Sequence, residues 1–301
     1  MEANLASKVL EHYLGRHPDK VQPLPGGKTN FVFEVNARDE RYVARISEEP
    51  SRLEDYLKEQ WAVTKARERG VPTPEILHVG TEPIGMPYMI LRRVEGRPAV
   101  SQPHSAEVFR EMGFYASRIN AISTVSFGHF FDWCQSRRCG QKSWSEYLHE
   151  EYKASDRVRL LEQQGLVSTH VAGRLREELA LIEQWSKPPN LNHGDLRLKN
   201  ILLDSEGRIA AILDWEKCLS QVAPYWELSI ALHDLSIDDK EAFLEGYGLN
   251  PANYALSAPA VRFFNILNYS TEASQAAEQG DHPALERLRM RLSGSLDLFS
   301  L

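Results

Sequence analysis

The segment Leu191 to Glu216, LNHGDLRLKNILLDSEGRIAAILDWE, gathers the side chains best suited to chemistry. His193, Gly194 and Asp195 stand together, Asn200 follows, and Asp214 comes near the end. Two apolar runs, Ile201 to Leu203 and Ile209 to Leu213, flank the polar stretch from Asp204 to Gly207. That pattern is a β-hairpin signal. A hairpin brings its ends together, so Asp214 is expected back beside Asn200, with Asp195 in the loop just before. Three oxygen-bearing side chains then converge on one small volume. Asn and Asp oxygens are hard ligands suited to Mg2+, which neutralises a triphosphate. A further carboxylate can orient or deprotonate an attacking hydroxyl. Loop capping would account for His193, Asp195 or Asn200 taken singly; the set with Asp214 and the hairpin points to phosphoryl transfer. His193 reads as a hydrogen-bonded scaffold of the loop rather than an acid–base group.

The elements that must position this segment follow from pattern. FVFEV (Phe31 to Val35) and RYVARI (Arg41 to Ile46) alternate as strands around the polar turn NARDE. A helix is expected from about Ser51 to Arg69, stopped by Gly70, Pro72 and Pro74. EILHVG and YMILRRV read as two more strands. At the start, Leu5, Val9, Leu10 and Tyr13 fall on one face of an amphipathic helix. From about residue 104 the chain reads as helical apart from the hairpin. A β-rich front and a helical back make an α+β chain in two lobes, 1–97 and 98–301, divided within Glu95 to Val100 by Gly96 and Pro98.

HGDLRLKN and ILDWE resemble the HGDxxxxN catalytic loop and the IDxE-type metal motif of the aminoglycoside phosphotransferases, relatives of the eukaryotic protein kinases. The resemblance runs roughly from Leu24 to Gly248 and implies a bilobal protein-kinase-like fold, with a nucleotide-binding N-terminal lobe and a C-terminal lobe carrying the catalytic loop and acceptor site. It implies Asp195 as the catalytic base or hydroxyl-orienting residue, and Asn200 and Asp214 as Mg2+ ligands. Arg197 stands where protein kinases carry a lysine facing the transferred phosphate. Gly26, Gly27, Thr29 and Asn30 are similar to the family's GGxxN-type nucleotide loop, though without the full GxGxxG of protein kinases. Arg45 occupies the strand position where lysine is usual, and Glu59 matches the helix glutamate that pairs with it, with Glu54 as the fallback. Arginine there, LRRVEG, FGHF and SWSEYL also echo the hygromycin B phosphotransferase-like branch. Main-chain groups from Ile90 to Arg92, at the strand leading to the interlobe hinge, are expected at the adenine or guanine edge. Glu227 replaces the family's aspartate and is expected to brace the catalytic loop.

The implied activity moves the γ-phosphoryl group of ATP or GTP to a hydroxyl of an aminoglycoside-like antibiotic or related metabolite. Glu146 and Glu150, one helical turn apart, can recognise a cationic acceptor or simply form a solvated face, and Trp144 can stack on a sugar or belong to the core. A sugar or amino-alcohol kinase and a nucleotide-binding pseudokinase remain the alternatives, the latter because of Arg45. A protein kinase is disfavoured by HGD for HRD, DWE for DFG and no APE-like segment.

Composition narrows the partners. The formal net charge of −7 disfavours nucleic acid, which needs a Lys/Arg excess on one face. No apolar run has the length a bilayer requires, and the N-terminus lacks a secretory signal's apolar core. Cys134, Cys139 and Cys218, an odd and sparse set, fit free thiols in a reducing cytoplasm; with His129 they match no zinc spacing. The expectation is a cytoplasmic monomer or weak dimer with no nucleic-acid or membrane partner.

Overall fold

The computed structural model describes residues 2–24, 31–101, 105–134, 142–233 and 235–298, with 294–298 by main chain alone. The first elements are α1 (Glu2–Leu14), β1 (Lys20–Pro23), β2 (Phe31–Ala37), β3 (Glu40–Ile46), α2 (Arg52–Glu68), β4 (Ile76–Gly80), β5 (Tyr88–Arg92) and β6 (Arg97–Pro98). Then come α3 (Ala106–Asn120), the single turn α4 (Trp144–Glu146) continued by a π-helical turn, α5 (Ala154–Gln163), α6 (Thr169–Glu183) and β7 (Asn190–Asn192). The rest are β8 (Ile201–Leu203), β9 (Ile209–Ile212), β10 (Leu219–Gln221), α7 (Tyr225–Ala231), α8 (Ile237–Tyr247), α9 (Pro251–Asn268), α10 (Ser270–Glu278) and α11 (His282–Leu298). Contacts gather these into two units: Met1–His104 with Leu198–Cys218, and Ser105–Arg197 with Leu219–Leu301. Asn200 and Asp214 therefore belong to the first unit, Asp195 and Arg197 to the second.

The first unit is built on a five-stranded antiparallel sheet of order β1-β2-β3-β5-β4. Period-2 alternation sends Phe33, Val35 and Ala37 of β2 and Tyr42, Ala44 and Ile46 of β3 to one face, where they bury Ala6, Val9 and Leu10 of α1. The face of α1 differs from the sequence reading: Ala6 is sealed, while Tyr13 is 37% exposed. The small side chain fits a helix lying close on a sheet; the Tyr13 ring instead meets His78 at 5.8 Å. The same alternation turns Arg45 to the opposite face of β3, toward α2, where it meets Glu59. The stripe Tyr56, Glu59, Val63 and Ala66 of α2 is buried, and so is Lys58. Gly70, with φ +73°, ends the α2 segment, and its N–H bonds Arg67 O at 2.9 Å. The expected 201–213 hairpin forms as β8 and β9, joined by β6 in a small three-stranded sheet. Asp204 Oδ1 shapes its turn, accepting the N–H groups of Glu206 at 2.8 Å and Arg208 at 3.0 Å.

The second unit is mainly helical, so the α+β class is as expected. Its core is an aromatic cluster that includes Phe127, Trp144, Tyr147, Tyr152, Trp226, Phe263 and Phe264. Helices α3 and α8 pack at main-chain contact. A Cβ on Gly113 would lie 1.9 Å from Phe243 O, and one on Gly246 2.0 Å from Arg110 O. The two-stranded sheet of β7 and β10 was not anticipated; three-residue strands leave no pattern to read. Among the described residues, no helix is long and apolar enough to cross a membrane. The thiol expectation fails at Cys134, which is disulfide-bonded, while Cys218 is a buried free thiol. An odd cysteine count excludes only complete pairing; Cys139 lies outside the described residues.

Candidate functional site

In the second unit, strand β7 delivers the chain to His193. Asn120 fixes this strand by donating its side-chain amide to Leu191 O at 3.0 Å, and Leu191 N–H bonds Ile122 O at 2.8 Å. His193 is fully buried, and its N–H donates to Glu227 Oε2 at 2.6 Å. Its Nδ1 accepts the Asp195 N–H at 3.2 Å, so the ring spends its lone pair on the loop backbone. That is the scaffold part expected of His193. Gly194 sits at φ +77°, a conformation an L side chain resists, which lets the chain reverse between His193 and Asp195. Asp195 is 2% exposed, and Arg197 Nε lies 3.2 Å from its Oδ1. Arg197 itself reaches solvent. Burial pushes the Glu227 carboxyl up to about 7; the N–H groups of His193 and Gly194 pull it down, and the nearby Asp195 charge adds to the rise.

In the first unit, Asn200 ends a short 3-10 turn from Leu198 and is buried. The hairpin then carries the chain out and back, and Leu213 N–H closes it on Asn200 O at 2.8 Å. Asp214, the next residue, adopts the left-handed conformation, φ 63° and ψ 66°. A non-glycine residue held there costs on the order of 1 kcal/mol and persists where its surroundings fix it. Trp215 supplies part of that restraint: it is 2% exposed and donates Nε1–H to Ile212 O at 3.0 Å.

Helix α2 supplies the rest of this half. Arg45 Nη1 pairs with Glu59 Oε2 at 2.9 Å, and its other terminal nitrogen lies 3.8 Å from Glu216. Arg52 reaches the same Glu216 oxygen at 3.5 Å and Asp55 at 3.1 Å. Burial works to lower the Arg45 pKa, but Glu59, with Tyr56, Asp214 and Glu216, raises it, so the guanidinium stays charged. Burial raises the Glu59 carboxyl, and Arg45 opposes that rise. Glu54 is exposed, so Glu59 and not the fallback makes the pair. Buried Lys58 donates to the Glu216 main-chain oxygen at 2.8 Å. Neither Lys58 nor Arg52 was singled out from sequence; charged residues of α2 look, in sequence, like any solvated helix face.

The remaining expected residues divide. Gly26, Gly27, Thr29 and Asn30 lie outside the described residues. Ile90 is buried mid-sheet, opposite Ala44 on one side and His78 on the other. The Arg92 N–H is bonded to Glu75 O at 2.9 Å, and its side chain pairs with Glu40 at 2.8 Å and Glu75 at 3.1 Å. Glu146 closes a capping box with Ser143, accepting its N–H at 2.7 Å, which lowers the Glu146 carboxyl. Glu150 is exposed, and Trp144 is core, stacked on Trp185 and donating to Ile182 O at 2.7 Å.

The fold has solved counterparts. The chain is similar to aminoglycoside phosphotransferase APH(4)-Ia, with 18% identity, 99% of both chains covered and a TM-score of 0.69. A thermostable APH(4)-Ia mutant in ternary complex with AMP-PNP and hygromycin B gives 18% identity, 98% coverage of both chains and a TM-score of 0.68. The GDP and kanamycin complex of APH(2")-IIIa gives 14%, 98% of both chains and 0.63. At such identities the likeness is one of fold, and that fold is the protein-kinase-like one. No curated protein matches the chain in sequence. Residues 20–259 match the phosphotransferase enzyme family, and with most of its length inside that match the chain belongs to this family.

Proposed function

We propose that this phosphotransferase moves the γ-phosphoryl group of ATP or GTP, with Mg2+, onto a hydroxyl of a small molecule, an aminoglycoside-like antibiotic or a related metabolite. One observation carries the reading most: the closure of Leu213 N–H on Asn200 O, which sets two hard-oxygen residues, Asn200 and Asp214, at one end of a hairpin. Their donor set fits Mg2+, which takes one or two protein oxygens and leaves its other positions to phosphates and water. Among the described residues no group of three or more His, Cys, Asp or Glu side chains competes as a metal cluster. When bound, Mg2+ neutralises charge on the triphosphate.

The chain's own residues do the rest. Asp195, held by the loop that His193 and Glu227 anchor, orients the acceptor hydroxyl and takes up its proton. Arg197, half-buried beside it, offers positive charge to the group in transfer. Arg45, steadied by Glu59, serves the nucleotide phosphates, as do the main-chain N–H groups around Gly26, Gly27, Thr29 and Asn30. The base edge is left to the main chain beyond β5, because Ile90 is paired on both sides within the sheet and the Arg92 N–H is taken by Glu75 O. The solved relatives that hold AMP-PNP with hygromycin B, or GDP with kanamycin, support a nucleotide donor and an aminoglycoside-like acceptor.

The test incubates the protein with Mg2+ and ATP or GTP against aminoglycosides, hygromycin, sugars and amino alcohols. Mass spectrometry should show one acceptor class gaining a single phosphoryl group. Asp195→Ala should lower that turnover by at least about a hundredfold while retaining nucleotide affinity. Failure of the wild-type protein to bind nucleotide with Mg2+ present would sink the reading.

A further inference from the structure

Lys58 is a lysine sealed inside the first unit, and its charge is aimed at a main-chain oxygen. It is 2% exposed and donates to Glu216 O at 2.8 Å. Glu216 lies two residues beyond Asp214, across the 3-10 turn from Trp215 to Lys217. The Glu216 side chain is held from the same direction, by Arg52 at 3.5 Å and Arg45 at 3.8 Å. Helix α2 and strand β3 thus grip the turn after Asp214 at both its main chain and its carboxylate. On the other side of Asp214, the Leu213 N–H is tied to Asn200 O. Asp214 sits between these two anchors in a left-handed conformation that a free chain would leave.

We propose that Lys58 is a positioning residue for the metal site: by holding the Glu216 carbonyl it fixes the turn that presents the Asp214 carboxylate. The inference rests on the assignment of Asn200 and Asp214 made above. Lys58 touches neither nucleotide nor metal in this scheme and acts through Asp214. The helix that supplies Glu59 to the strand cation therefore also sets the metal ligand, through the adjacent residue. Outer partners of this kind commonly change metal affinity about 10- to 100-fold when lost.

Calorimetry with AMP-PNP, with and without Mg2+, tests it without any turnover. In the wild-type protein Mg2+ should strengthen nucleotide binding. Lys58→Met should reduce that strengthening about tenfold and leave metal-free binding unchanged. Lys58→Arg, which keeps a cationic donor, should restore most of it. Full Mg2+ enhancement in Lys58→Met overturns the proposal, and so does an equal loss with and without metal, the mark of a merely structural lysine. Should Lys58→Met not fold, Lys58→Gln, too short to reach Glu216 O, takes its place; failure of both to fold also overturns it. If wild-type protein binds no nucleotide, the phosphotransferase reading fails first. If it binds and Mg2+ adds nothing, the assignment of Asn200 and Asp214 fails, and the Lys58 role with it.

Discussion

Glu59 and Glu227 are both sealed from water, at 2% and 0% exposure, one in each unit, yet the fold holds them by different means. Glu59 has a full countercharge, the Arg45 guanidinium at 2.9 Å. Glu227 has the N–H group of His193 at 2.6 Å, with that of Gly194 also acting on it, and no cation among the described residues influences its carboxyl. Burial raises both carboxyls. Opposite charge keeps the first an ion pair, whereas dipoles leave the second titrating at about 7. The part of the chain proposed to meet a triphosphate is thus held by a charge pair, and the part proposed to meet a hydroxyl by a brace that can change its protonation.

Breaking the pair should give the largest effect. Glu59→Ala leaves Arg45, whose side chain is 15% exposed, with the looser Glu216 contact at 3.8 Å and the Tyr56 ring at 5.5 Å. Removing one partner of a buried pair costs about 3–5 kcal/mol, to be read from urea unfolding. A cost below about 1 kcal/mol would show that Arg45 is satisfied without Glu59, and the contrast with Glu227 would collapse.

The brace should show itself through pH. The folded protein binds the Glu227 proton more tightly than the unfolded chain, because the folded value is about 7 against an ordinary 4.5. Its stabilising contribution is therefore complete below the ordinary value and is lost as pH rises through about 7. The interval corresponds to about 3 kcal/mol. Urea midpoints between about pH 5 and about pH 8 should fall for the wild-type protein and flatten for Glu227→Gln. A slope that survives in the variant places the proton elsewhere.

Arg45→Lys should be the mildest. The charge stays, but the fork that reaches both Glu59 and Glu216 is lost. Thermal unfolding should register about 1 kcal/mol, the worth of one hydrogen bond. A loss as large as that of Glu59→Ala would mean that fork geometry, not charge, holds Glu59.

What could be read from sequence follows the range of the signal. The hairpin from Ile201 to Ile212 was legible in two apolar runs around a polar turn, and the Arg45–Glu59 pair through the family resemblance. The face of α1 was misjudged at Tyr13 because a large ring weighs more in a pattern than Ala6, the side chain the close packing wants. Strands β7 and β10 left no trace, since three residues cannot show a period and their partners are far apart in the chain. The Glu227 brace was legible only through its place after the metal motif; nothing local marks a glutamate that caps another segment's backbone. Lys58 was invisible for a similar reason, as its acceptor is a main-chain oxygen 158 residues away.

The contact between α3 and α8 has a consequence for variation. With a Cβ only 1.9 Å from Phe243 O or 2.0 Å from Arg110 O, Gly113 and Gly246 have no neutral substitutions. The two helices they join share a hydrogen bond at 2.8 Å from Tyr247 OH to Asn120 Oδ1, and Asn120 in turn holds Leu191, two residues before His193. A library that randomises every codon and selects for growth should therefore return glycine at both positions. They would score as intolerant as the loop proposed to be catalytic, though neither bears a functional group.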